Sequence, residues 1–210
     1  NVRFEAIPGG QDALLSAFPV AAFGFLGSNT AAIAVQGSQL TVANGTGLSL
    51  IGGDHGFTYT NPDTGDTASV PEGVTMTGGK LSAPSGQINL ASVASVGEIS
   101  ADDFIPTSGM TMGNIALSQG TVLDVSGNAA GTVRIRGGQF VMDQATISAD
   151  TVNANGAPVA IDINVTGKVS ISTVDVPALT ARTSGSGNAG NIRITSGNMD
   201  VTTTTVNSFI

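Results

Sequence analysis

The chain has 210 residues, of which 29 are glycine and none is cysteine or tryptophan, and its formal net charge is −8. Seven scattered basic residues cannot neutralise a row of phosphates, so the composition argues against a nucleic-acid partner. The lack of cysteine excludes disulfides and thiolate metal sites. Only 10 % of the residues are charged, so Thr, Ser, Asn and Gln must form the polar surface. These residues suit strands and turns better than helices, and the composition predicts an all-β protein.

Residues 1–27 are apolar and irregular, with neither the strand period nor the helix period. We interpret them as a cap or as the end of a preceding domain, and we place the β region at residues 28–210. The chain starts at Asn1 without a charged segment ahead of an apolar one. This start predicts a processed chain or an internal fragment.

From residue 31 onward, short alternating segments predict strands. Apolar residues lie two apart between glycine-containing turns, as in Ile33 and Val35 or Leu48 and Leu50. Residues 54–78 break this pattern, since they contain the only His, the only Tyr, two prolines and four acids. We interpret residues 54–78 as a long loop or hairpin inserted into the main body.

A recurring unit organises the rest of the chain: glycine, a polar residue, then two branched apolar residues separated by one position. Copies begin at Gly86, Gly113, Gly131 and Gly190, and a degenerate copy, VAIDINV, occupies residues 159–165. A repeat made only of strands and turns is typical of a solenoid, because stacked copies bury a face that one copy cannot. A β-sandwich is the alternative, but it does not predict the recurring unit. The sequence therefore favours a right-handed parallel β-helix.

The repeat also assigns faces to the segment GTVRIRGG, residues 131–138. Val133 and Ile135 are expected to point inward, whereas Arg134 and Arg136 point outward, and Arg193 takes the same side in a later copy. The outward arginines are candidate surface contacts for an anionic glycan. The alternative is that they pair with acids on the adjacent coil.

The strand after Gly138 has two possible registers. Phe140 and Met142 alternate as an inward pair, but Val141 competes with them. A shift of one residue would reverse the two faces of this strand.

Five blocks of the sequence resemble filamentous-haemagglutinin-like exoproteins, the passengers of two-partner secretion systems in Gram-negative bacteria, including cyanobacteria. The blocks are AFGFLGSN (22–29), LSLIGGD (48–54), GGKLSAPSGQINLASVASVGEI (78–99), LDVSGNAAGTVRIRGGQFVMDQATISADT (123–151) and GNAGNIRITSG (187–197). The resemblance implies a long right-handed β-helix that follows an N-terminal secretion domain, of which residues 1–27 would be the end. The family usually lacks the insertion at 54–78.

The resemblance also implies a function. We expect a non-catalytic secreted or cell-surface segment that serves as an adhesin, stalk, matrix or filament component. The implied partners are an outer-membrane transporter during export, then glycans or proteins of a host, cell surface or matrix, with self-association into filaments as a further expectation. We expect no catalytic residues and no resident cofactor.

Two other functions have weaker support in the sequence. A polysaccharide lyase or hydrolase would need carboxylates that converge in a groove, and the chain has no aromatic platform for a sugar. The candidate carboxylates are scattered along the chain: Asp102, Asp103, Asp124, Asp143, Asp150 and Asp162. A calcium-stabilised module would use the oxygen ligands of NPDTGD, residues 61–66, although this segment is also an ordinary turn sequence. His55 is a further candidate surface contact, and a single histidine makes a poor transition-metal site.

Overall fold

The computed structural model describes residues 20–27, 30–60, 65 and 67–204. Over these residues the chain forms strands and turns without any helix, so none of the described elements is a helix that could cross a membrane. The strands are β1 (Ala22–Phe25), β2 (Ile33–Gln36), β3 (Gln39–Thr41), β4 (Gly47–Gly53), β5 (Phe57–Thr60), β6 (Thr67–Val70), β7 (Val74–Thr77), β8 (Lys80–Ser82), β9 (Gln87–Val93), β10 (Gly97–Ser100), β11 (Asn114–Ser118), β12 (Val122–Asp124), β13 (Thr132–Gly137), β14 (Gln139–Asp143), β15 (Thr146–Ser148), β16 (Val159–Val165), β17 (Lys168–Val174), β18 (Leu179–Thr180), β19 (Asn191–Thr195) and β20 (Asn198–Thr204).

Three parallel sheets make up the main body, and the prediction of an all-β protein is confirmed. The first sheet has the order β2-β7-β11-β14-β17-β20, the second β3-β8-β12-β15-β18 and the third β4-β9-β13-β16-β19. The chain visits the first, second and third sheets in rotation, so each strand pairs with the strands one circuit before and one circuit after it. Strand β13, for example, lies between β9 and β16.

The apolar core runs between the three sheets, because alternate residues of every strand point to the same side. Val133 and Ile135 are fully buried, as the repeat predicts. In β14, Phe140 and Met142 are buried and Val141 is exposed, so the register that buries Phe140 is the correct one. Pairing in register stacks each inward residue on its counterpart in the next circuit. The apolar area buried in this way stabilises the fold by about 25 cal/mol per Å².

The insertion predicted at residues 54–78 is shorter in the structure. Strands β5 and β6 form an antiparallel hairpin in which Phe57 pairs with Val70. The last residues of the predicted insertion, Val74–Thr77, instead form β7 of the first sheet, with Val74 and Met76 fully buried. The turn at Gly73, whose φ is +86°, returns the chain to the coil before this strand. The alternation in VTMT therefore belongs to the core, and the predicted downstream boundary was wrong.

A second excursion, which the repeat did not predict, occupies residues 94–112 between β9 and β11. Its strand β10 pairs antiparallel with β1, so that Ala22 lies opposite Ser100 and Phe25 lies opposite Gly97. Part of the predicted segment 1–27 is thereby attached to this excursion. The remainder of that segment, residues 1–19, lies outside the described residues.

Candidate functional site

Three of the four predicted contact residues, the arginines Arg134, Arg136 and Arg193, lie together on the outer face of the third sheet. Arg134, Asp162 and Arg193 occupy one cross-strand row, because Arg134 pairs with Asp162 and Asp162 pairs with Arg193 in successive circuits. Arg136 lies two residues further along β13, on the same face. The rotation of the chain thus brings together residues that are far apart in sequence.

Asp162 is the centre of this group. Its Oδ2 accepts a hydrogen bond of 2.6 Å from Nη2 of Arg136, and its Oδ1 accepts one of 2.9 Å from Nε of Arg193. Burial of the Asp162 carboxyl acts to raise its pKa, but the hydrogen bonds from Arg193 and Arg136 outweigh burial and hold the pKa below its ordinary value. Asp162 is therefore a buried carboxylate, paired with two guanidinium groups.

Arg136 points outward as predicted, but it is buried, with only 5 % of its surface exposed. Its Nε donates to the carbonyl oxygen of Phe104 at 3.0 Å, and its Nη1 donates to the carbonyl oxygens of Ile135 and Asp162. The excursion at 94–112 covers this part of the sheet, so Arg136 cannot serve as a surface contact. Its role is to bind the excursion to the coil.

Arg134 and Arg193 remain at the surface. Arg134 donates from Nη1 to Oε1 of Gln87 at 3.0 Å and to the carbonyl oxygen of Asp102 at 3.4 Å. The side chain of Arg193 is 63 % exposed, although its Nε is bound to Asp162. For Arg136 and Arg193, the structure shows pairing with an acid on the adjacent circuit.

A second apolar cluster lies beneath the excursion. Phe104 and Ile99 from the excursion are fully buried against Ala91 and Val93, the outward residues of β9. Sequence reasoning missed this cluster, although the segment LASV carried a signal for it. A strand that is covered on both faces is apolar at consecutive positions, whereas a strand with one solvated face alternates.

His55 is far along the chain from these arginines, at the root of the β5–β6 hairpin. It forms a single parallel bridge with Ala31 and lines a polar depression of about 250 Å³ together with Asp54 and Glu72. Oδ1 of Asp54 accepts a hydrogen bond of 2.7 Å from the backbone N–H of Asn114. Asp54 therefore fixes the start of β11.

No metal centre is assembled within the described part of the chain, where no three His, Cys, Asp or Glu side chains are grouped suitably. Most of the calcium candidate at residues 61–66 lies outside the described residues. The calcium hypothesis thus stays a prediction.

Several of the aspartates considered as catalytic groups make structural bonds. Asp124 forms an ion pair of 3.3 Å with Lys80, and its Oδ1 accepts a hydrogen bond from the N–H of Ser126. Oδ1 of Asp150 accepts a hydrogen bond of 2.8 Å from the N–H of Arg182 in the next circuit. These carboxylates stabilise turns and corners of the coil.

Comparison with known proteins found no matching family model, no matching curated protein and no matching solved structure. The resemblance to filamentous-haemagglutinin-like exoproteins therefore rests on the sequence blocks alone.

Proposed function

We propose that this chain is a non-catalytic segment of a secreted or cell-surface exoprotein, and that its three sheets form a right-handed parallel β-helix used as a stalk, adhesin or filament component. The observation that carries this proposal is the rotation of the chain through three parallel sheets around one uninterrupted apolar core. Such a coil grows by repetition, with each circuit contacting only its neighbours and adding about 4.8 Å to its length.

The outer surface supports a contact role for the coil. The outward positions of the first sheet are mainly small, uncharged side chains, including Thr75, Thr77, Ser118, Ser170 and Ser172. Continuous backbone ladders hold these rows at fixed spacing, which favours adhesion through many weak contacts over binding in one deep pocket. Glycans or proteins of a host, cell surface or matrix are the partners that such rows suit.

The absence of catalysis is part of the proposal, and the positions of the carboxylates support it. Hydrolysis of a glycosidic bond requires two carboxylates about 5–10 Å apart beside a sugar-binding groove. Here Asp162 is neutralised by two arginines, and Asp124 and Asp150 are bound to other groups of the coil. An acid engaged in this way is poorly placed to donate or accept a proton at a substrate.

Export through an outer-membrane two-partner secretion transporter, with a final location at the surface of a Gram-negative bacterium, follows from the resemblance. Antibodies raised against the purified chain should label intact cells of the source bacterium or detect the protein in the culture medium. Deletion of the genes for two-partner secretion transporters in that bacterium should retain the antigen inside the cell. A cytosolic marker is the control for lysis. Labelling that requires permeabilised cells in both strains would contradict the proposal.

A further inference from the structure

Strand β1 is attached to the coil through the excursion at 94–112. Within the described part of the chain, the backbone ladder of β1 is formed with β10 alone. The N–H of Ala101 donates to the carbonyl oxygen of Ala21 at 2.9 Å and extends this pairing. Because β10 belongs to the excursion, a movement of the excursion away from the coil would carry β1 with it.

The excursion is held together by its own backbone hydrogen bonds. On the other edge of β10, the N–H of Ser100 donates to the carbonyl oxygen of Ile105 at 3.0 Å. At the base of the excursion, the N–H of Ala94 donates to the carbonyl oxygen of Thr111 at 2.9 Å, which brings its two ends together. A segment with paired ends and internal hydrogen bonds can open as one cooperative unit.

The contact between the excursion and the coil has an apolar part and a polar part. Ile99 and Phe104 are buried against apolar residues of β9. In the polar part, Nε of Arg136 donates to the carbonyl oxygen of Phe104, and Nη2 of Arg136 is held by Asp162 of the next circuit. The coil therefore supplies both the donor and its counter-ion, and the excursion supplies only a backbone acceptor.

The backbone of Phe104 is strained at the point where the excursion is held. Its φ is +58°, in a region that bulky residues rarely adopt. Such a conformation persists only where the surroundings enforce it, and it is common in segments that change conformation. Here the buried ring and the carbonyl bound by Arg136 enforce it. Loss of the hydrogen bond from Arg136 would remove a contact and allow the strain to relax.

We propose that β1 and the excursion form one unit that opens from the coil without unfolding it, and that Arg136, held in place by Asp162, keeps this unit closed. Opening exposes Ala91 and Val93, which are apolar residues on the outer face of the third sheet. The open state thus presents an apolar strip that the closed state covers. The unit depends only on contacts within the chain, so it is independent of the proposed function.

Amide hydrogen exchange of the full chain, resolved by peptide with mass spectrometry, tests the proposal. Arg136→Met removes the hydrogen bond to Phe104, while Asp162 keeps Arg193 as its partner, so the coil should still fold. Exchange should accelerate in β1 and in β10 by the same factor, roughly 10-fold to 100-fold, as expected for the loss of a hydrogen bond to a charged group. Strands β12 and β14 of the coil should change much less.

Arg134→Met is the matched control, since it makes the same replacement on the same strand. Arg134 also donates to the excursion, at the carbonyl oxygen of Asp102, but this bond is 3.4 Å long and lies at the surface. Its loss should accelerate exchange in β1 and β10 by about threefold or less. Asp162→Asn is a second test variant, because it loosens Arg136 from the side of the coil and should accelerate the same two strands.

Three results would overturn the proposal. Equal acceleration in β1, β10, β12 and β14 would mean that the unit opens only when the coil unfolds. Acceleration in β10 without β1 would mean that the excursion does not carry β1. Exchange in β1 and β10 that is the same in Arg136→Met as in Arg134→Met would mean that Arg136 does not keep the unit closed.

Discussion

Replacing Asp162 by alanine is expected to lower the free energy of unfolding by about 3–5 kcal/mol, because it leaves the Arg136 guanidinium buried without its counter-ion. Arg136 is only 5 % exposed, so water can hardly replace the carboxylate, and the excursion covers it. Chemical denaturation, followed by circular dichroism, measures the loss.

The matched control for this variant is Arg193→Ala. Arg193 binds the same carboxylate, but its side chain is largely exposed, so its removal should lower the free energy of unfolding much less than the removal of Asp162. If Asp162→Ala were no more destabilised than Arg193→Ala, the buried pair would not hold the excursion as described. Adding Arg136→Met to Asp162→Ala should recover part of the loss, since the uncompensated charge is then removed.

The same pair gives the stability a dependence on pH. The pKa of Asp162 is lower in the folded chain than in the unfolded chain, so the unfolded state takes up the proton first as the pH falls. The stabilisation is therefore complete above about pH 4 and is lost as the pH falls through the lowered pKa of the folded state. The difference in unfolding free energy between wild type and Asp162→Asn should narrow on acidification.

Gly131→Ala is expected to destabilise the chain by about 3 kcal/mol, because a Cβ at this position would overlap the backbone carbonyl of Gly86 in the preceding circuit. Backbone at a corner of the coil cannot rotate away as a side chain can. Thermal unfolding measures the effect as a lower midpoint.

Gly47→Ala is the control for Gly131→Ala. A Cβ at residue 47 would meet Gln87 at 3.8 Å, which is ordinary contact. Its effect should be within about 1 kcal/mol and on the stabilising side, because alanine reduces the freedom of the unfolded chain. Equal losses for the two variants would show that close stacking at the Gly131 corner does not limit the fold.

The parts of the fold that could be predicted from sequence are those with local causes. Alternation of apolar residues gave the inward positions Val133 and Ile135. The glycine repeat did not give the spacing of the circuits, because the copy that begins at Gly113 leads into the first sheet, whereas those at Gly86, Gly131 and Gly190 lead into the third. The competition between Phe140 and Val141 could not be resolved locally. The structure resolves it through the neighbouring circuit, where Ile115 pairs with Phe140.

The parts that could not be predicted depend on contacts across long sequence separations. The burial of Arg136 requires the carbonyl of Phe104, which lies 32 residues away in an excursion that breaks the repeat. From sequence alone, an arginine on the outer face of a strand is predicted to be exposed, unless the segment that covers it is known. The same reasoning explains why the predicted insertion extended too far. The strand that begins at Val74 follows polar residues, and only its pairing with β2 and β11 shows that it belongs to the coil.

The rotation through parallel sheets can be tested directly, because the chain contains no cysteine of its own. Ala116 and Val141 are outward partners in register on β11 and β14, where parallel strands place Cα atoms about 4.8 Å apart. That separation suits a disulfide, whereas the diagonal pair Ala116 and Asp143 lies beyond about 7 Å. Mild oxidation of Ala116→Cys/Val141→Cys should produce an intrachain disulfide, quantified by mass spectrometry, and Ala116→Cys/Asp143→Cys should remain mostly reduced. Equal yields for the two pairs, or the reverse order, would contradict the parallel coil.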